Sequence, residues 1–429
     1  MTMVQQELRK QLDELSSAIE AQRLVLDHLI NQRSHVQRQL NNFLDPMALL
    51  PLELQSKIFL ECLCHAEEDV IVQRPDPKAA PMLLLGICQL WRDIALSTPE
   101  LWNHLRMESS PARPNDPQFF EIWLKRSQSF PLALTLEGSS VLAKDVQGLV
   151  DGCGDRVETL TLLLTTIPTR GSHILREPFP SLEKLKIEFT DVRGFDIRDW
   201  MYLLKTSPTL THLSFSGSFS VRETMADSTA PFTLPALREL HFPDYSPYSR
   251  VNATRILKYI TLPALETLHI RCNANSENGS GELLDFLTRS SPPLRSLFIN
   301  SSMWPSDIIS SLEYLRIIPS LTDLSLVAND LISVLEMLPR APDFLPNLRD
   351  LTCYPVSFLR PGDYEIVVRM LDVRPLKSFR LKMMDPSAAF GNAAPSWDPT
   401  PSEDIIRELR RSRDSGVSVH VSAGEQIFV

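Results

Sequence analysis

The sequence between positions 185 and 381 repeats one pattern at an almost constant interval. The pattern Leu-x-apolar, with Phe in place of Leu once, occurs eight times, and successive copies lie 27 to 29 residues apart. One such unit cannot bury its own apolar side chains, so the units must stack and share a core. The copies begin at Leu185, Leu213, Leu240, Leu268, Leu297, Leu324, Leu351 and Phe379.

Each copy predicts a short strand, because alternate residues of a strand point to opposite faces and only every second residue is apolar. The stretches between copies carry apolar residues at helical spacing, as at Leu331 and Leu335. The expected fold is therefore α/β, a solenoid whose parallel strands form a curved sheet. Weaker copies at Leu134 and Leu160, and an alternating segment at 417–421, extend the series at its two ends.

The residues that alternate with the buried positions define a predicted outer face of the sheet. Arg271, Phe298 and Tyr354 lie on this face and belong to residue types enriched at binding hot spots, so they are candidate target-binding residues. The sequence leaves open whether they bind a target or only cover the sheet. His241 and His269 take equivalent positions on neighbouring strands, which allows a metal or pH-sensitive site, although a coincidence of register is the simpler interpretation.

The first 44 residues form a distinct segment without Pro or Gly. Their apolar residues alternate at intervals of four and three, the period of a coiled coil. We expect one long helix that forms a homodimer through residues 8–43, parallel in the simplest case, or that packs on its own chain or on another protein. Gln22 and Arg33 interrupt the stripe and are placed to fix its register. The stripe consists of Leu8, Leu12, Leu15, Ile19, Gln22, Leu26, Leu29, Arg33, Val36, Leu40 and Phe43.

Residues 45–105 predict a separate unit of three short helices. Pro51 follows Leu50 at the start of the first helix, where no backbone donor is needed, and Leu54 and Ile58 continue at a spacing of four. A second apolar stretch and a short helix that begins with Pro complete the unit. So small a unit buries little apolar surface on its own, so we expect a partner to cover part of it.

This helical segment resembles an F-box. That family's pattern has a Leu-Pro start, a mid-helix Ile or Leu, a Cys-x-x-Trp-Arg stretch and a closing Leu-Trp pair. A long loop at 64–81 and Leu90 ahead of the Trp depart from it. The matching residues are Leu50, Pro51, Leu54, Ile58, Cys88, Trp91, Arg92, Leu101 and Trp102.

The resemblance implies that the Leu-Pro start and the neighbouring helix face contact a Skp-type adaptor, although the residues alone also allow a place in the core of the unit. The candidate adaptor-binding residues are Leu50, Pro51, Leu54, Ile58 and Leu63.

The repeat itself resembles a leucine-rich repeat, whose units are 20–29 residues long. The Asn or Cys that this family usually carries three residues past the apolar pair is only partly kept, so the resemblance implies an irregular solenoid without a regular Asn ladder. The expected organisation is a coiled-coil helix at 1–44, an F-box at 45–105 and the repeat solenoid at 106–429.

Charge and composition disfavour several classes of function. The chain has 53 acidic and 43 basic residues and a net charge of −10, so no long-range attraction to nucleic acid or to an anionic membrane is expected. Glycine is scarce, at 14 residues, and the sequence has no phosphate-loop, dinucleotide-binding, zinc-protease or nucleophile-elbow motif. We therefore expect neither an enzyme nor a bound cofactor or metal.

Three features indicate where the protein works. No apolar run reaches the roughly 18 residues of a membrane span. Four acidic residues within the first 20 positions disfavour a secretory signal peptide. The six cysteines are dispersed among apolar neighbours, which predicts reduced, buried thiols and a location in the cytoplasm or nucleus.

Together the two resemblances imply a substrate-recognition subunit of an SCF-type cullin–RING ubiquitin ligase. Its F-box would dock on the Skp-type adaptor, and through it on a cullin, while the repeat domain would hold an unidentified target protein. Other subunits would transfer the ubiquitin. The alternative is a protein-interaction scaffold that needs no adaptor and dimerises through its N-terminal helix.

Overall fold

A computed structural model shows a mixed α/β protein with a long N-terminal helix and a large, mostly parallel sheet. The chain divides into two compact units. The helical unit comprises Met1–His104 and Trp123–Phe130, and the sheet unit comprises Leu105–Ile122 and Pro131–Val429. The structure describes residues 3–63, 65–66, 70–71, 76–109, 117–138, 148, 150, 152–165, 178–195, 200–221, 231–242, 254–271, 279–301, 313–341, 343–356, 359–383, 400–424 and 426–429.

The helical unit begins with the long helix that the sequence predicts. Its helices are α1 (Met3–Leu44), α2 (Leu52–Glu61), α3 (Leu84–Ile87) and α4 (Gln89–Ser97), with 3-10 turns at Pro46–Leu49 and Pro99–Trp102. Two short strands, β1 (His65–Ala66) and β2 (Val70–Ile71), pair antiparallel. Helix α5 (Pro117–Arg126) divides its residues between the two units.

The start of α2 is held by the backbone of one proline and the side chain of one glutamine. Pro51 has a φ of −57° and precedes the first helical residue, so the prediction that Leu50 and Pro51 open a helix is confirmed. Gln55 lies on the buried face of α2, and its side-chain nitrogen donates to the carbonyls of Met47 at 2.6 Å and Leu50 at 2.8 Å. A buried amide with these two acceptors fixes the corner before the helix.

The core of the helical unit is built around aromatic side chains. Phe59 of α2 and Trp102 are fully buried. The indole nitrogen of Trp102 donates to the carbonyl of Ala95 at 2.8 Å, and its ring packs edge-on against Trp123 with centroids 4.9 Å apart. The guanidinium of Arg126 lies over the Trp102 ring at 4.4 Å, and burial lowers the pKa of this arginine. Trp102 is therefore a core residue of the helical unit.

Thirteen of the described strands form the large sheet. They follow one another in chain order from β3 to β17, except that β8 and β10 stand apart as a parallel pair. Neighbouring strands from β4 to β16 run parallel, and β17 closes the series with an antiparallel pairing to β16. The strands are β3 (His104–Ser109), β4 (Leu132–Gly138), β5 (Val157–Leu164), β6 (Lys184–Phe195), β7 (His212–Val221), β8 (Phe232–Thr233), β9 (Glu239–His241), β10 (Ile260–Thr261), β11 (Thr267–Arg271), β12 (Ser296–Ser301), β13 (Asp323–Ala328), β14 (Asp350–Pro355), β15 (Ser378–Met383), β16 (Ser418–Ala423) and β17 (Gln426–Ile427).

Helices connect many of these strands, as parallel neighbours require a crossover. They are α6 (Met201–Lys205), α7 (Thr254–Leu257), α8 (Gly279–Ser290), α9 (Leu331–Arg340), α10 (Asp363–Val373) and α11 (Glu403–Asp414), with 3-10 turns at Gly154–Arg156 and Glu313–Ile317. None of the helices in the described ranges has the length and apolar content needed to cross a membrane.

The repeated apolar residues stand in one register across the sheet. The eight copies predicted from the sequence pair laterally with one another, and the weaker copies and the closing strand continue the same row. Every side chain in the row is at most 5% exposed, so the predicted inward face is confirmed. The row is Leu134, Leu160, Leu185, Leu213, Leu240, Leu268, Leu297, Leu324, Leu351, Phe379 and Val419.

Backbone hydrogen bonds also join each repeat of the sheet unit to the next, just ahead of the strands. The carbonyl of Glu183 accepts from the amides of Thr211 and His212 at 2.9 and 3.0 Å. This doubled bond links neighbouring units without an Asn side chain. Four of the eight positions at which this family usually carries its Asn or Cys lie outside the described residues. The carbonyls that accept two amides in this way are those of Glu183, Thr211, Arg238, Glu266, Arg295, Thr322 and Arg349.

A buried arginine ties two connecting helices together. Arg374 follows α10, and its Nε donates to the carbonyl of Leu338 near the end of α9 at 2.8 Å. Its Nη2 donates to the carbonyls of Ala341 at 2.9 Å and of Phe344. Burial lowers the pKa of the Arg374 guanidinium. The last carbonyls of a helix lack partners within the helix, and this side chain supplies them.

Candidate interaction surfaces

One face of α2 is apolar and exposed. Leu54 and Ile58 lie one turn apart on this face and keep 48% and 42% of their surface exposed. Cys62 follows after another turn and is also exposed. Gln55 and Phe59, each next to one of these residues in the sequence, are buried on the other side of the helix. Helix α2 therefore packs one face into the core and leaves a second apolar face uncovered within the described structure.

Pro51, Leu54, Ile58 and Cys62 are called the α2 row below. Pro51 is exposed at its N-terminal end, and Leu50, half-buried, precedes it. Leu63 does not lie on this face. It comes after the last residue of α2 and is only 4% exposed, so its side chain serves the core and its predicted role as an adaptor contact does not fit this placement.

Other exposed apolar residues of the helical unit were not among the sequence-based candidates. Leu49 is 80% exposed at the end of a 3-10 turn, directly before Leu50. The doublet of leucines is a signal that was present in the sequence, since two consecutive side chains seldom both point into one small core. The further exposed apolar residues on α2, α3, α4 and the residue before α3 are Leu52, Leu83, Ile87 and Leu96.

Polar contacts hold the α2 row in place. The carboxylate of Asp45, at the end of α1, accepts from the Met47 amide at 2.9 Å and from the indole nitrogen of Trp91 at 2.7 Å. The Trp91 ring lies against Phe59 of α2, with centroids 5.1 Å apart. The Asp45 carboxylate thus ties the turn after α1 to α4, and the Trp91 ring extends this connection to the buried face of α2.

A second tie joins α2 to the end of α4. The hydroxyls of Ser56 and Thr98 are 3.0 Å apart, and Thr98 also donates to the carbonyl of Ile94 at 2.8 Å. Thr98 precedes the Pro99–Trp102 turn, but its side chain makes no capping bond to that turn. Its hydroxyl instead bonds backwards, because it is buried against the preceding helix.

The outer face of the sheet carries a row of rings. His241 of β9 and His269 of β11 are register neighbours with ring centroids 5.9 Å apart, which agrees with their predicted equivalent positions on neighbouring strands. His269 contacts Phe298 of β12 at 3.9 Å, and Phe298 is 6.3 Å from Tyr354 of β14. These four residues are called the ring row below.

The last of these ring contacts reaches across β13, which lies between β12 and β14. Phe298 is the register neighbour of Ser325, whose side chain is short, and Tyr354 is the register neighbour of Val327. Phe298 and Tyr354 are half-buried, as expected for residues that alternate with buried ones. Arg271 pairs through the backbone with Asn300, but its side chain lies outside the described residues.

The centre of the ring row is uncharged near neutral pH. Burial, and secondarily the charge of His241, lower the pKa of His269 to about 4. Glu239 lies between two other histidines, with carboxylate oxygens 3.2 Å from Nε2 of His212 and 3.4 Å from Nε2 of His241. At the other end, the Lys382 ammonium lies 5.9 Å from the Tyr354 ring. The ring row thus has a neutral aromatic centre and charged side chains at its two ends.

The described part of the chain contains no group of three or more His, Cys, Asp or Glu side chains that could hold a metal ion. Its four described cysteines are free thiols. Cys153 and Cys353 are buried as predicted, and burial raises the pKa of the Cys353 thiol. Cys62 is exposed, contrary to the prediction, because its position one turn after Ile58 places it on the outer face of α2.

A scan against protein-family models finds no match to this chain, and a search of curated proteins finds none. The function must therefore be inferred from the residue motifs and from the geometry of the α2 row and the ring row.

Proposed function

We propose that this protein is the substrate-recognition subunit of an SCF-type cullin–RING ubiquitin ligase. In this proposal the helical segment at 45–105 is an F-box whose α2 row docks on a Skp-type adaptor, and through it on a cullin. The outer face of the sheet, interpreted as an irregular leucine-rich-repeat solenoid, holds a target protein. The chain acts by binding, and ubiquitin transfer belongs to other subunits of the complex.

The observation that carries the proposal is the exposure of Leu54 and Ile58 directly after the Leu-Pro start of α2. These residues occupy the positions at which the F-box resemblance places adaptor contacts. Their neighbours Gln55 and Phe59 show that α2 has a well-packed core face of its own. Covering two such aliphatic side chains stabilises a complex by about 1–2 kcal/mol each, which is the contribution expected of interface anchors.

The ring row supports the second half of the proposal. Aromatic side chains bury much area at little cost in conformational entropy, so half-exposed rings on a rigid sheet are suited to hold a partner. Phe298 and Tyr354 are held in place by strands that pair on both sides. A target that binds here would lay an apolar segment along the row and meet charged side chains at its ends.

The adaptor half is tested by binding of the purified full-length chain to a purified Skp-type adaptor. We expect Leu54→Glu and Ile58→Glu each to weaken binding by at least roughly tenfold, because a charge placed in an apolar contact must be desolvated. The matched control is Leu284→Glu, which places the same charge at an exposed leucine of α8 in the sheet unit. The Leu50→Ala, Pro51→Ala double variant tests the Leu-Pro start.

Unfolding curves of each variant separate lost binding from lost structure. Equal binding by wild type, Ile58→Glu and the Leu50, Pro51 double variant would contradict the docking role. Weakening by Leu284→Glu to the same extent would show that the effect is not specific to the α2 row.

The target half is tested by affinity capture of bound proteins from one cell type, with the wild-type chain and with a Phe298→Ala, Tyr354→Ala double variant as bait. We expect the double variant to keep the adaptor and to lose one set of captured proteins. If the double variant captures the same proteins as the wild type, the ring row is not the target-binding surface.

The scaffold without an adaptor is a second candidate function, and the exposure of α1 favours it. Every described side chain of the N-terminal stripe is exposed, so α1 offers an apolar surface that is separate from the α2 row. Absence of adaptor binding together with a stable dimer of the full chain would favour the scaffold over the ligase subunit.

A further inference from the structure

Helix α1 carries a long apolar stripe that nothing in the described structure covers. Its 42 residues extend for about 63 Å at 1.5 Å per residue. Isolated helices are only marginally stable in water, and helices in proteins are stabilised mainly by packing of an apolar face. The following stripe residues are all more than half exposed: Leu8, Leu12, Leu15, Ile19, Leu26, Leu29, Val36 and Leu40.

Two polar residues interrupt this stripe, and their positions are related by symmetry. In heptad terms Gln22 takes a d position and Arg33 takes an a position. The midpoint between them falls between residues 27 and 28. The apolar residues of the stripe pair about the same midpoint, as Leu26 with Leu29, Ile19 with Val36 and Leu15 with Leu40.

We propose that α1 pairs with α1 of a second copy of this chain in an antiparallel coiled coil, whose twofold axis passes between residues 27 and 28. Antiparallel helices place each a residue opposite a d residue, so Arg33 of one copy lies opposite Gln22 of the other. The guanidinium donates and the amide carbonyl accepts, and the dyad repeats this contact. The remaining layers between Leu15 and Leu40 are apolar on both sides.

Only this arrangement brings the two polar residues together. A parallel dimer in register places Arg33 against Arg33, where two like charges repel in a partly desolvated layer. An antiparallel dimer shifted by one heptad places Arg33 against Leu15 or Leu29, and its guanidinium then faces an apolar side chain without an acceptor. A polar residue at one a position is known to select register and orientation at some expense of stability.

The positions that flank the stripe do not oppose the arrangement. Arg23 lies in an e position and forms an ion pair with Glu20 of its own helix at 3.0 Å. In the proposed dimer Arg23 lies opposite Ile30 of the second copy, so the arginines of the two helices do not face one another. The inference concerns α1 alone, and it stands whether or not the chain binds an adaptor.

Two opposite charges at one position test orientation directly. Sedimentation equilibrium of the full-length chain measures the dimer dissociation constant for wild type, Gln22→Glu and Gln22→Lys. In the antiparallel dimer the new carboxylate faces Arg33 twice, so we expect Gln22→Glu to tighten the dimer by roughly three- to tenfold and Gln22→Lys to weaken it by a similar factor. In a parallel dimer both variants place like charges opposite each other, so both would weaken it.

Disulfide cross-linking gives an independent readout. The Gln22→Cys, Arg33→Cys double variant is expected to form a covalent dimer on mild oxidation, whereas Arg33→Cys alone is not, because its two thiols lie about 16 Å apart along the axis. Wild-type chain under the same conditions controls for the native cysteines. Efficient cross-linking of Arg33→Cys alone, weakening by both charge variants, or a monomeric wild type at high micromolar concentration would each overturn the proposal.

Discussion

Regularly spaced apolar residues are buried in the sheet unit but exposed in the helical unit. In the sheet, the row of laterally paired residues from Leu134 to Val419, called the leucine row here, is buried because each repeat packs against its neighbours. In the helical unit, the spacing on α1 and along the α2 row is equally regular, yet these side chains remain exposed. A repeat provides its own partner, whereas a single helix face does not. Regular spacing thus predicts which residues share a face, and the number of copies decides whether the chain can cover that face itself.

The sharpest test of this contrast replaces one leucine in each region. Leu268 is fully buried in the middle of the leucine row, so Leu268→Ala is expected to cost about 3–4 kcal/mol of unfolding free energy, including the cavity left behind. Leu54→Ala on the α2 row is expected to cost less than about 1 kcal/mol. Thermal unfolding of the full-length variants measures both. Similar losses for the two substitutions would show that the α2 row belongs to a core.

A second test asks whether polar ties between repeats contribute as much as apolar ones. Arg374→Leu removes the hydrogen bonds to three carbonyls, one in the last turn of α9 and two just after it, and leaves these carbonyls without that donor, so we expect a loss of about 2–3 kcal/mol of unfolding free energy. Arg369→Leu, at an exposed position on α10, is the control and is expected to change stability by about 0.5 kcal/mol or less. If both variants unfold at the same temperature, Arg374 is not a structural tie.

The smallest expected effect concerns pH and the ring row. The pKa of His269 is about 4 in the folded chain, below the ordinary value of 6.5, so the unfolded chain binds a proton more readily between these values. Stability should therefore fall as pH decreases from about 6.5 to about 4, by on the order of 1–2 kcal/mol after allowance for partial exposure.

The His269→Gln variant should lack this part of the pH dependence, while His420→Gln, at the C-terminal end of the sheet, serves as the control. The comparison uses unfolding curves at several pH values between 4 and 7. If the stabilities of the wild type and of His269→Gln fall in parallel as the pH decreases, His269 is not the cause of the pH dependence.

Much of the fold follows from sequence spacing because the interactions concerned are local or repeated. The 27-to-29-residue interval predicts the lateral pairing of Leu185 with Leu213 and of Leu324 with Leu351, and the structure confirms both. The proximity of His241 and His269 follows from the same register. These predictions need only the strand period and the repeat.

The residues that sequence analysis missed depend on contacts between distant segments. Gln55 is polar but buried, because its side-chain amide donates hydrogen bonds to the carbonyls of Met47 and Leu50. Arg374 is buried because α9 ends beside it. At the end of α2, Cys62 is exposed and Leu63 is buried, because successive residues there lie on different sides of the helix. Neither periodicity nor composition contains this information.

Hydrogen–deuterium exchange of the full-length chain, with and without a purified Skp-type adaptor, tests the central claim most directly. If the α2 row is a docking surface, the amides of residues 50–62 should exchange at least roughly tenfold more slowly in the presence of adaptor, while those of β11 in the leucine row should not change. Unchanged exchange across residues 50–62 at saturating adaptor would contradict the account, because the exposed leucines of α2 would then have no partner in that complex.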